Sequence, residues 1–186
     1  MVFASGLEFA LRVIQSAALA IHAVLDMLDP LCGAKSALLR IEDALPRWFL
    51  PAVGFFRAIA AVANMADTRP MLNLIQHGEG QGEMIGGLLT SPDGLVLAAQ
   101  GYIIAVWTGA MFFHLRRRHH PATTLPAGFF VLMGTIVLWL RFESFLLAMA
   151  GTAVFAVAGV ALGCVFVKPP AEADTRGYDQ LRQAPD

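Results

Sequence analysis

Six polar side chains interrupt an otherwise apolar stretch between Leu7 and Leu28, and five of them, Glu8, Arg12, Gln15, His22 and Asp26, fall on one stripe. Their spacings of four, three, seven and four residues return each to one side of a 3.6-residue helix, within a wedge of about 80°. A stretch this long and apolar is a candidate membrane span, and ionisable groups within a span face protein or a polar cavity. The pattern does not spell a nucleophile or a paired-carboxylate site. Ser16, the sixth polar residue, has no base at helical spacing, and Glu8 with Arg12 is an i,i+4 pair of the kind that forms a salt bridge. Catalysis by this chain alone is not expected.

Two further residues extend the chemistry. Arg57 falls midway through a second apolar run and needs an anionic partner there, with Glu8 the first choice and Glu143 the second. Such a network would fix helix packing. Alternatively, Arg57 and the Glu8-to-Asp26 stripe would line a pocket for an anionic or carbonyl-bearing ligand, a quinone head group for example. His22 and His114 are expected at similar depth near one membrane face, where two histidines could ligate a b-type haem or a chlorophyll. Against this, His114 heads the run Arg116, Arg117, Arg118, His119 and His120, which reads as a basic collar near anionic lipid head groups. No metal-ligand spacing is present: Cys32 and Cys164 are far apart in no CxxC or Cys/His pattern.

The composition fits a membrane domain. Of 186 residues 57% are hydrophobic and 15% charged, and the mean hydropathy is +0.63. A net charge of −1 with no basic, aromatic-interleaved stripe excludes nucleic acid as a partner. Apolar runs of span length recur at about Phe3 to Leu28, Trp48 to Ala66, Leu95 to Phe113, Leu125 to Leu140 and Phe145 to Val167. The expected fold is therefore all-α, a bundle of five transmembrane helices over residues 1–167, with a tight hairpin at Arg141 to Ser144. The N-terminal stretch reads as a retained first span, because Glu8 and Arg12 interrupt the run where a signal peptide is most apolar; cleavage near Ala18 to Ala20 is the alternative.

Between the first two spans, Lys35 to Leu45 has the pattern of a short helix lying in the interface. Asp67 to Gly94 is Gly-rich but lacks the GK[ST] of a phosphate loop, and reads as an exposed loop. The tail, 168–186, is Pro-rich and polar and is expected to be disordered. Lys35, Arg40, Arg47, Arg116, Arg117, Arg118 and Lys168 gather at one side of the spans and only Arg69 and Arg141 at the other, which predicts the N-terminus outside and the C-terminus inside a bacterial inner or organellar membrane.

Small residues mark close helix approach. Gly159 and Gly163 form a GxxxG in the fifth span, and Gly101, Ala105 and Gly109 recur at four-residue steps in the third. These faces serve packing within the bundle or contact with another subunit, and Gly159 with Gly163 is the expected partner contact.

The run Pro51-Ala-Val-Gly-Phe-Phe-Arg, followed by Ala110-Met-Phe-Phe-His-Leu-Arg-Arg-Arg and a Pro-bearing loop, resembles the DoxX-like family of small membrane proteins. The marker residues are Ala110, His114, Leu115 and Arg116, and the resemblance covers about Phe3 to Leu140, a four-helix core to which the fifth helix is an addition. Where that family tends to place a carboxylate after the glycine of the second helix, this chain has Arg57. The resemblance implies a non-catalytic accessory or assembly subunit of a larger membrane complex, including electron-transfer complexes, with membrane lipids and other membrane subunits as partners. A quinone- or small-molecule-binding oxidoreductase component is the alternative, and a membrane chaperone or cargo-type protein the third reading.

Overall fold

The computed structural model describes residues 2–33, 45–66 and 92–168. They form α1 (Val2–Cys32), α2 (Phe49–Asn64), α3 (Pro92–Arg116), a 3₁₀ turn (Pro121–Thr124), α4 (Leu125–Phe142) and α5 (Phe145–Phe166), with no strand among the described residues. Four segments, Gly6–Cys32, Gly94–Arg116, Pro121–Phe142 and Phe145–Phe166, are long and apolar enough to cross a membrane, the make-up of a helical membrane protein. At 16 residues, α2 is shorter. Nearly all of the expected interfacial helix at Lys35 to Leu45, most of the loop at Asp67 to Gly94, and the tail beyond Lys168 lie outside the described residues.

Local chemistry sets several helix ends. Pro121 begins the 3₁₀ turn and Pro126 is the second residue of α4, first-turn positions where the missing N–H is not needed. Between α4 and α5 the chain reverses in two residues. Glu143 takes a left-handed backbone conformation, φ 50°, and the Ser144 hydroxyl accepts from the Leu147 N–H at 3.4 Å.

The contacts define alternating directions. Arg12 of α1 reaches the end of α2 at Asn64 while Asp26 meets Arg57, so these two helices run antiparallel. Gln15 opposes Gln100 and His22 opposes Trp107, which places α3 parallel to α1. On α4, Phe130 stacks on Trp107 and Gly134 abuts Ile104, reversing direction again. Finally α5 runs along α3, with Phe155 over Gly101 and Phe112 over Gly163. The centre is α3: Ile103 and Trp107 face Leu19, Ala60 and Ala61, while Ile104 faces Leu138 and Ala148.

Outer faces are apolar, most fully on α5, where Leu146, Val157 and Val165 are at least 70% exposed. Side chains of this kind on the outside are what lipid, not water, accommodates. Aromatic groups mark both ends of the bundle: Trp48 with Phe49 and Phe166 at one, Trp139 with Phe145 at the other.

The seam between α3 and α5 corrects one expectation. A Cβ on Gly159 would overlap the Ala105 carbonyl oxygen, one on Gly163 would lie 2.5 Å from the Phe112 ring, and one on Gly109 would sit 3.2 Å from the Gly159 oxygen. The chain's own α3 thus occupies the GxxxG face, and the subunit contact expected at Gly159 and Gly163 is filled from within. Gly101 belongs to the same seam, under the Phe155 ring. Close backbone approach is the main source of helix affinity in lipid, so these glycines hold α5 in place.

Gly159→Ala should therefore lower stability by about 1–3 kcal/mol or more through overpacking. Gly6→Ala, with nothing within 4 Å of the added methyl, should leave stability unchanged or slightly raised. Thermal unfolding of the two variants in detergent, side by side, checks the contrast.

Candidate functional site

The stripe on α1 is buried in the bundle. Arg12, Gln15, Ser16 and Asp26 are at most 8% exposed, while Glu8 and His22 are partly buried. Two clusters form along it.

The first lies where α1 passes the end of α2. A helix leaves its last carbonyls without intrahelical donors, and its C-terminus carries partial negative charge. The Arg12 guanidinium answers both needs: Nε donates to the Asn64 carbonyl at 2.6 Å and Nη2 to the Ala66 carbonyl at 2.5 Å. Its Nη1 donates to Glu8 Oε1 at 3.4 Å, and Arg141 of α4 donates to the same oxygen at 2.6 Å. One carboxylate is thus held between two arginines, joining α1 to α4.

Directly beneath, three amides interlock. Gln100 Nε2 donates to Gln15 Oε1 at 2.9 Å and to Asn64 Oδ1 at 2.7 Å, while Gln15 Nε2 donates back to Gln100 Oε1 at 3.2 Å. Asn64 Nδ2 donates to the Arg12 carbonyl and to Ser16 Oγ, both at 3.2 Å. Gln15, Asn64 and Gln100 are completely buried. Where water cannot answer an amide, such a closed set specifies helix register, since sliding one helix would break several bonds together.

The second cluster lies about three turns further along α1. Arg57 donates through Nη1 to Asp26 Oδ2 in a buried ion pair. Gly54 makes this approach possible, because a Cβ there would lie 2.9 Å from both the Ala23 oxygen and Asp26 Cβ. The Arg57 guanidinium sits 5.4 Å from the Trp107 ring centroid. Trp107 in turn stacks on Phe130 with centroids 4.6 Å apart, and meets the edge of His22 at 5.2 Å. Tyr102 closes the cluster, its hydroxyl donating to the Val53 carbonyl at 3.0 Å. Two donors within it, Arg57 Nε and Trp107 Nε1, are buried with no hydrogen-bond acceptor among the described residues.

Two expectations are corrected by this geometry. Arg57 pairs with Asp26 and not with Glu8 or Glu143. The antiparallel register of α1 and α2 sets Glu8 at the far end of the bundle beside Arg12 and Arg141, and Glu143 is exposed in the turn after α4. His22 and His114 do not share a depth. Since His22 is level with Trp107, His114 lies two turns beyond it, roughly 10 Å along α3. There His114 Nδ1 approaches His119 Nδ1 at 2.9 Å, so the shared depth on which ligation by His22 and His114 together would depend is not found.

Sequence reasoning does not single out Asn64, Gln100 or Trp107, and it uses Arg141 only for the hairpin and for orientation. A lone amide in each of two apolar runs was the available signal, because a polar group inside a span needs an interhelical partner. Among the described residues no group of three or more His, Cys, Asp or Glu side chains could hold a metal ion, and Cys32 and Cys164 are exposed free thiols. In comparison with known protein families, curated proteins and solved structures, the chain matches no family model, no curated protein and no solved structure.

Removing one partner of a buried ion pair leaves the other charge stranded, which costs about 3–5 kcal/mol, whereas replacing both by apolar groups is often neutral. Asp26→Leu alone should strongly destabilise the protein, and adding Arg57→Met should restore most of the loss. Denaturant unfolding in micelles of the single and double variants measures this directly.

Proposed function

We propose that this chain is a non-catalytic accessory or assembly subunit of a larger membrane complex, built from five membrane-crossing helices with a DoxX-like core. The observation that carries the reading is how the bundle uses its charge. Glu8 and Asp26 are both engaged by arginines from other helices, so their chemistry goes into joining α1 to α2 and α4. A carboxylate held by a guanidinium from another helix acts as a strut between the two helices. The likeness to the DoxX-like family at Ala110, His114, Leu115 and Arg116 points the same way.

On this reading α2 crosses with its neighbours although its length is only about 24 Å, because Arg12 covers its terminal carbonyls from within the bundle. The alternating helix directions bring Arg47, the Arg116 to Arg118 run and Lys168 to one end. Those charges orient the protein with its C-terminus inside. Lipid covers part of the apolar outer surface and other membrane subunits cover the rest.

Extraction from its native membrane in a mild detergent should bring a partner in fixed stoichiometry with this chain. Recovery as a lone species at its own mass of 20.0 kDa, by mass-resolved chromatography across several mild detergents, would contradict the subunit reading.

A further inference from the structure

We propose that Arg57 and Trp107 form an intramembrane binding site for an uncharged, lipophilic molecule bearing a carbonyl oxygen. The inference is independent of any partner subunit. It starts from the two N–H groups, Arg57 Nε and Trp107 Nε1, that are buried without an acceptor among the described residues. Arg57 is 6% exposed and Trp107 7%, so neither donor is answered by solvent. Both belong to one stacked group, the guanidinium lying 5.4 Å from the ring centroid. A buried donor in a water-poor interior carries a standing penalty until an acceptor meets it.

The surroundings define the acceptor. Asp26 already neutralises Arg57, so the site has no net charge to offer, and a carboxylate or phosphate would bring an unpaired anion into the middle of the bundle. A carbonyl oxygen takes one or two N–H bonds and adds no charge. Depth defines the rest of the molecule: Arg57 is the ninth of the 16 residues of α2, and Trp107 is level with it. A ligand arriving there travels through lipid and must be soluble in it. The donors are held in place beforehand. Asp26 fixes one end of the guanidinium, while Phe130 and His22 fix the indole ring by stacking and by an edge contact. Membrane carbonyls come from two sources, the acyl esters of phospholipids and free lipophilic carbonyl compounds.

The test uses the full chain in an ester-free detergent, with Cys32→Ser and Cys164→Ser introduced because exposed thiols would add to a quinone probe. Calorimetric titration is run with a short-chain benzoquinone and, separately, with a short-chain diacyl phosphatidylcholine below its micellar concentration. One of the two should bind saturably at one site per chain, and which one it is identifies the source. Trp107→Phe keeps an aromatic ring in the stack while removing the indole N–H together with part of the ring; it should weaken binding at least tenfold while the protein remains folded. Arg57→Lys keeps a cation opposite Asp26 but removes the Nε–H, and should weaken binding to a similar degree, which carries the test if the tryptophan variant fails to fold. Absence of saturable binding by both probes, or binding that these variants leave unchanged, would overturn the proposal.

Discussion

A hydrocarbon interior supplies no water to polar groups, and the architecture of this protein turns on how α1 meets that constraint. Its polar stripe is too charged to face lipid, so the other helices must surround it. Arg12 shows the logic most clearly. By donating to the carbonyls of Asn64 and Ala66, it satisfies its own guanidinium and the frayed end of α2 in a single arrangement. Glu8 then draws in Arg141, and the amides of Gln15, Asn64 and Gln100 lock three helices in register. Without α1 the carbonyls at the end of α2 would lose the Arg12 donors, Arg141 would lose Glu8, and of the amide set only the bond from Gln100 to Asn64 would remain.

Packing divides the bundle into two kinds of interface. Toward α1 and α2, the central helix α3 presents Gln100 and Trp107 beside Ile103, and polar and aromatic contacts flank an aliphatic one. Toward α5 it presents Gly101, Ala105 and Gly109, and contact is backbone against backbone or ring. The first kind is directional and sets register. The second is steric and rewards proximity alone. Between them they fix α3 on opposite sides, which explains how a helix with polar groups on one face and glycines on another can serve as the core.

The helices were legible in the sequence because the length and hydropathy of an apolar run are one-dimensional properties: the apolar runs fall within a few residues of the five helices, four of which are long enough to cross a membrane. Burial of the α1 stripe was also legible, since the helical period alone puts Glu8, Arg12, Gln15, His22 and Asp26 on one side. Partners were not. That Arg57 meets Asp26, and not Glu8, depends on the antiparallel register of α1 and α2, which is set by Gly54 and Asn64 together and leaves no mark in either helix alone. The misjudged depth of His22 and His114 has the same origin, because counting from helix ends ignores the offset between parallel α1 and α3. Gly159 and Gly163 announced a close contact correctly, but a GxxxG does not say whether the neighbour belongs to the same chain.

The central claim is that α1 buries its polar stripe inside the bundle and turns its apolar face to lipid, and spin-label accessibility tests it most directly. Single nitroxide labels placed along α1 in liposomes report collision with molecular oxygen, which concentrates in the hydrocarbon core. Labels at Ile14, Ile21 and Val24, all at least half exposed, should show high oxygen access, and labels at Ser16, Leu19 and Ala23, all nearly buried, should show low access, tracing a period of 3.6 residues. Uniform access along the helix, or high access at Ser16, Leu19 and Ala23, would contradict the account.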